Sequence, residues 1–277
     1  MYAKYLFSAA LSFCLSAGTA QAICADSDEM CEMSDGGTYH LKLPYEQVNE
    51  PAPVLMFLHG YGGSGINTIK IERMVEPFLA RGYAVIAPNG LRRRGTGPLS
   101  WNFYPGWEGR EETAFLTDVV ADAAERFGTS ADTVLLSGFS AGGFMVNYLA
   151  CDAPETFTAY APVSGGFWRP HPVACEGPVK LFHTHGWTDN TVPLEGRKLG
   201  GGRFEQGDIF AGLEIWREAN QCWDEKPSGF SRDGEFMLRK WNGCTEGAAL
   251  EMALFPGGHT VPEGWADMAI NWFEGLQ

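Results

Sequence analysis

The chain has 277 residues, 45% hydrophobic and 13% aromatic, enough to bury one large core, and a single domain is the starting expectation. Its formal charge of −14 argues against a basic face for polyanions, so neither nucleic acid nor an anionic membrane surface is expected as a partner. Beyond the N-terminal segment no stretch is long and apolar enough to span a bilayer.

The chain opens with "MYAKYLFSAALSFCLSAGTAQA", a lysine, an apolar run and the small-x-small site Ala20-Gln21-Ala22. This is the layout of a cleaved signal peptide over residues 1–22, leaving 23–277 as one catalytic domain, secreted or periplasmic. Phe13 stands before Cys14 where lipid attachment needs a small residue. Six cysteines then remain: Cys24, Cys31, Cys151, Cys175, Cys222 and Cys244. An even number in an exported chain points to disulfides. Three local loops (24 with 31, 151 with 175, 222 with 244) are one of about 15 possible pairings. No C-x-x-C or Cys/His cluster suggests a metal, and no organic cofactor is implied.

Strand-like runs follow in chain order at 38–43, 53–59, 83–88, 133–139, 158–164, 179–185 and 250–255. Helix-like stretches lie at 66–80, 111–127, 141–150, 211–219 and 262–275. That alternation predicts an α/β fold, a mostly parallel central sheet with helices on both faces. Arg92-Arg93-Arg94 reads as a solvated loop, and the glycine-rich segment 195–210 as a loop or mobile flap.

"SGFSAGG" (137–143) places Ser140 between a buried strand and a helix, the setting of a nucleophile elbow. The competing reading is a tight turn whose serine caps the helix. A serine hydroxyl needs a base, and the base needs an orienting acid. "HGWTDNTVP" ends a later strand and delivers Asp189 in a turn; "FPGGHTVP" ends the next and delivers His259. The order serine, acid, histidine is that of an α/β-hydrolase, which argues for the nucleophile. "LHGYGGSG" supplies a glycine-rich turn after a strand, where the fold builds its oxyanion hole. The amides of Tyr61 and Ala141 are the expected donors. His59 is expected to brace that turn, His183 and His185 to pack or hold a loop, and His40 and His171 to lie at the surface.

"LHGYGG", "SGFSAGGFM", "HGWTDNTVP" and "GGHTVP", in this order, resemble a secreted esterase family that includes polyhydroxybutyrate depolymerases, feruloyl esterases and acetyl xylan esterases. The resemblance covers about residues 36–277. It implies the α/β-hydrolase fold with Ser140, Asp189 and His259 as the triad, and it supports the two loops closed by Cys151 with Cys175 and Cys222 with Cys244. Trp187 departs from the family pattern, which usually has a small residue there.

Trp101, Phe103, Tyr104, Trp107, Trp168 and Trp187 all follow strand C-termini, the edge on which open α/β sheets bind ligands. Trp101, Trp168 and Trp187 are therefore expected to bind substrate. The expected activity is hydrolysis of feruloyl-type or hydroxyalkanoate-type esters by a monomer without a separate lid domain. Bulk polyester is the second substrate class, and a non-catalytic carbohydrate or polyester binder the rival of another kind.

Overall fold

The computed structural model describes residues 24–46, 51–92, 95–223 and 227–276. The expected signal peptide, together with Arg93 and Arg94, lies outside them. In chain order the elements are β1 (Cys31–Glu32), β2 (Thr38–Lys42), β3 (Ala52–Leu58), α1 (Gly65–Ile69), α2 (Glu72–Ala80), β4 (Ala84–Pro88), β5 (Leu91–Arg92) and β6 (Leu99–Ser100). There follow α3 (Glu112–Phe127), β7 (Thr129–Phe139), α4 (Ala141–Asp152), β8 (Ala159–Val163), β9 (Lys180–Gly186), β10 (Lys198–Leu199) and β11 (Phe204–Glu205). The chain ends with α5 (Ile209–Ala219), β12 (Gly229–Asp233), β13 (Phe236–Trp241), β14 (Ala249–Phe255) and α6 (Trp265–Glu274).

Among the described residues the main sheet has ten strands in the order β1-β2-β4-β3-β7-β8-β9-β14-β13-β12. The six from β4 to β14 run parallel, flanked by antiparallel strands on each side. Such a sheet must be covered on both faces, and the strands show it. Along β3, Val54, Met56 and Leu58 enter one core with side chains of α3, α4 and α5, while Leu55 and Phe57 enter the other with α2 and α6. Alternate residues of one strand point to opposite faces, so a continuous apolar run feeds both cores.

Helix ends follow local chemistry. The Glu111 carboxylate accepts from the amides of Thr113 and Ala114 at the start of α3, and Gly128, at φ 71°, closes its end. Where one helix is expected over 66–80, the backbone leaves helical geometry at Ile71 (φ −80°, ψ 80°) and restarts as α2. That break turns Ile71 toward Phe139 and Val261 at the wall of a cavity.

All three local disulfides are present: Cys24–Cys31, Cys151–Cys175 and Cys222–Cys244. The second ties the end of α4 to the approach to β9, and the third ties the end of α5 to the turn after β13. Loops of 24 and 22 residues correspond to about 3 kcal/mol each in the chain-entropy account.

Two features depart from the expected outline. The hairpin β12–β13 extends the sheet beyond β14, its strands joined by Gly234 and Glu235. The 195–210 segment carries the small hairpin β10–β11, whose Phe204 packs on Trp107 and Trp168.

Candidate active site

Ser140 follows β7 directly and stands at the N-cap position of α4, with φ 56° and ψ −114°. A non-glycine residue held there costs about 1–3 kcal/mol, which the surrounding structure must outweigh. The surroundings do so by contact. A Cβ on Gly142 would lie 2.1 Å from the Leu58 carbonyl oxygen, and one on Gly138 would lie 2.7 Å from the Gly142 carbonyl. Only glycine lets β3, β7 and α4 approach this closely. The serine side chain makes no capping hydrogen bond to α4, which removes the reading as a helix cap. Its Oγ lies 2.9 Å from His259 Nε2 instead.

Asp189 is delivered by the turn after β9. Its Oδ1 accepts from the amides of Thr191 and Val192, each at 2.8 Å, and its Oδ2 accepts from His259 Nδ1 at 2.7 Å. Burial alone raises the carboxyl pKa, but these three donors outweigh it and hold Asp189 below the ordinary carboxylate value. With Nδ1 donating to a carboxylate, Nε2 is the bare nitrogen that can take the serine proton.

The acid and base loops are fastened to each other. The Trp187 amide donates to Phe255 O at 2.8 Å and the Thr188 amide to Gly257 O at 3.0 Å. A Cβ on Gly186 would sit 2.3 Å from Gly258 O, so the approach needs glycine at that point. On the far side, Arg73 Nη2 donates to Val261 O at 3.1 Å, and the Phe139 ring lies 4.6 Å from the His259 imidazole.

His185 holds the acid turn from beneath. Fully buried, it donates through Nε2 to Val192 O at 2.8 Å, which leaves Nδ1 to accept from His183 Nε2 at 3.1 Å. Burial pushes both imidazole pKa values down, so the pair is neutral. The expected loop-holding role is thus found. The carbonyl contact had no signal beyond an H-x-H strand preceding the acid.

The glycine-rich turn after β3 lies against the elbow: a Cβ on Gly60 would be 3.4 Å from Ser140 Cβ. His59 braces it as expected. Its Nε2 accepts from the Gly90 amide at 3.0 Å, so Nδ1 donates to Gly60 O at 2.7 Å, and burial lowers its pKa. Neither the Tyr61 nor the Ala141 amide has a hydrogen-bond acceptor among the described residues, as donors kept for an incoming oxyanion would require.

Two of the three expected substrate contacts need correction. Trp101 is completely buried, and its indole Nε1 donates to His59 O at 2.8 Å, so it supports the glycine turn from within. Trp168 is 8% exposed and packs in an aromatic cluster, 5.2 Å from Phe103, 5.4 Å from Tyr104 and 5.3 Å from Phe204. Large rings at a sheet edge lose more water by turning inward than a shallow site could remove. Trp187, 58% exposed beside the acid turn, stays open to a ligand. His40 is also corrected, being buried rather than at the surface.

The family described as X-Pro dipeptidyl-peptidase (S15 family) matches residues 38–195, more than half of the chain. The chain belongs to this family of α/β-hydrolases. Among curated relatives, a protein named "Probable feruloyl esterase C" from Aspergillus niger is 30% identical over 182 residues, covering 58% of this chain and 58% of its own length. Its namesake from Aspergillus terreus is 27% identical over 245 residues, covering 81% of this chain and 77% of that one. The chain thus spans little more than half of the Aspergillus niger relative. Among solved structures, an acetyl xylan esterase from Aspergillus awamori superposes with a TM-score of 0.66 at 15% identity, over 90% of this chain and all of the other. That likeness shares the α/β-hydrolase fold. The resemblance to esterases read from four motifs is borne out by these relatives.

Proposed function

We propose that this protein is an exported serine esterase that cleaves carboxylic esters through an acyl-enzyme, with Ser140 as nucleophile, His259 as base and Asp189 as its orienting acid. The observation that carries the reading is one unbroken line of contacts: Ser140 Oγ to His259 Nε2 at 2.9 Å, and His259 Nδ1 to Asp189 Oδ2 at 2.7 Å. It ends on a serine held in a strained elbow with no competing bond. Ester rather than amide substrates are supported by the names of the relatives, and export by three disulfides.

In the first half-reaction Oγ bonds to the ester carbonyl carbon while its proton passes to His259 Nε2. The carbonyl electrons move to oxygen, which the Tyr61 and Ala141 amides receive. Collapse breaks the carbon–alkoxide bond, and His259 returns the proton to the departing alcohol. Water then attacks the acyl carbon, giving its proton to His259. When the carbon–Oγ bond breaks, that proton goes back to Ser140 and the acid is released. Asp189 stays ionised throughout, holding the imidazole in one tautomer and stabilising its charged form.

Feruloyl-type or hydroxyalkanoate-type esters are the proposed substrates, with bulk polyester second. Exposed Trp187 and Tyr61 flank the site as aromatic surfaces for such groups. Incubating the protein with methyl ferulate, acetylated xylan, hydroxybutyrate oligomers and a terephthalate ester tests this directly. Turnover of the first or third at the highest kcat/KM is expected. Absence of acid release from every member would overturn the esterase reading.

A further inference from the structure

Larger cavities of about 480 and 460 Å³ lie away from Ser140, the first at the starts of β8 and β9 and the second beneath the β12–β13 turn. A smaller one, about 230 Å³, adjoins the site: its walls include Gly60 and Tyr61 of the glycine turn, Phe139 of the elbow and Val261, two residues after His259. Ile71 and Thr68 close its far end, and Asn67 stands at its rim. We infer that this cavity is a subsite for one apolar group of the ester, the size of a single aromatic ring with a short tether. The inference rests on the esterase reading.

Three observations carry it. The first is proximity: a Cβ on Gly60 would lie within 3.4 Å of both Phe139 and Ser140, so the wall that Gly60 and Phe139 share with the cavity abuts the serine. Next comes lining, in which Phe57, Phe139, Ile71 and Val261 supply apolar walls, the Ser64 and Thr68 hydroxyls are engaged within α1, and His59 is buried and turned to Gly60 O and the Gly90 amide. A charged or sugar group would lose its water there with few polar partners in return, whereas a ring gains from burial against apolar walls. Size is the third: cavities of about 150 Å³ accept benzene. The walls are also held in place. Arg73 fixes Val261, Trp101 and His59 fix the glycine turn, and Ser64 caps α1 through the Asn67 amide at 3.3 Å.

An apolar group could arrive on either side of the ester bond, and three unactivated esters separate the two. Methyl acetate lacks a ring, methyl 3-phenylpropanoate carries one on the acyl side, and benzyl acetate carries one on the alcohol side. Acid release in a pH-stat gives kcat/KM for each with the intact protein, with Asn67→Phe, which fills the cavity from its rim, and with Ile71→Ala, which enlarges it. The parent is expected to prefer one ring-bearing ester over methyl acetate by about tenfold or more. Asn67→Phe removes that preference, and Ile71→Ala weakens it about threefold. Loss confined to the phenylpropanoate assigns the subsite to the acyl group; loss confined to benzyl acetate assigns it to the alcohol. Ratios unchanged in both variants overturn the subsite while leaving ester hydrolysis standing. No turnover of any ester by the parent overturns the hydrolase reading and the subsite with it.

Discussion

In the turn after β9, a buried carboxylate is held by two backbone amides and an imidazole; in the loop after β6, an equally buried indole is held by one carbonyl and the His59 ring. Both lie at the same edge of the sheet. A buried carboxylate is tolerated only when several donors replace its water, so the Asp189 turn is shaped by polar demands and ends facing His259. The rings of Trp101 and Trp168 follow the opposite demand and turn into the molecule, making a floor for the glycine turn and an aromatic wall. One region carries the proposed chemistry and the other rigidity.

Substitutions should separate those contributions. Asp189→Asn keeps the size of the side chain but removes the charge that fixes the His259 tautomer, and should cost about 10⁴-fold in kcat while the fold is retained. Rates within tenfold of the parent would mean another group orients His259. Lowering pH strikes the buried polar groups in sequence. His59, His183 and His185 have folded pKa values below 6.5, so the unfolded chain binds protons that the folded one refuses, and stability falls as pH drops below that value. Asp189 has a depressed folded pKa; its contribution, full above the unfolded carboxylate range, is lost as pH falls through the folded value. Melting temperature should decline by about 5 °C or more from pH 7 to pH 5, less steeply in His183→Gln. A flat profile over that window would contradict neutral burial of these imidazoles.

The aromatic side of the comparison gives smaller effects. Trp101→Phe leaves the His59 carbonyl without its donor, costing about 1–3 kcal/mol and lowering the melting temperature by several degrees, with KM little changed. A raised KM at unchanged stability would return Trp101 to the substrate pocket. Trp187→Ala should behave in the reverse way, shifting stability by no more than about 0.5 kcal/mol while raising KM for bulky esters a few-fold. Thermal melts together with Michaelis kinetics on one preparation check both.

What the sequence disclosed follows from range. Ser140, Asp189 and His259 each sit in a strand-turn unit whose glycines and prolines lie within a few residues, so local pattern was enough to bring them to one edge of a mostly parallel sheet. Gly186 was harder, because its reason is Gly258 O, far along the chain and brought close by the pairing of β9 with β14. The direction of Trp101 likewise depends on the His59 carbonyl, and the cavity on a break at Ile71 meeting Phe139 and Val261. The β12–β13 hairpin did carry a local turn signal at Gly234. Its mostly exposed strands lack the apolar run that marks the others.

The proposed chemistry stands or falls with Ser140 as the nucleophile, activated through His259. Reaction of the intact protein with a fluorophosphonate, read by whole-protein and peptide mass, tests it most directly. One adduct on the peptide containing Ser140 is expected, absent in Ser140→Ala and formed far more slowly in His259→Ala. Undiminished labelling of Ser140→Ala, or an adduct on another residue, would contradict it.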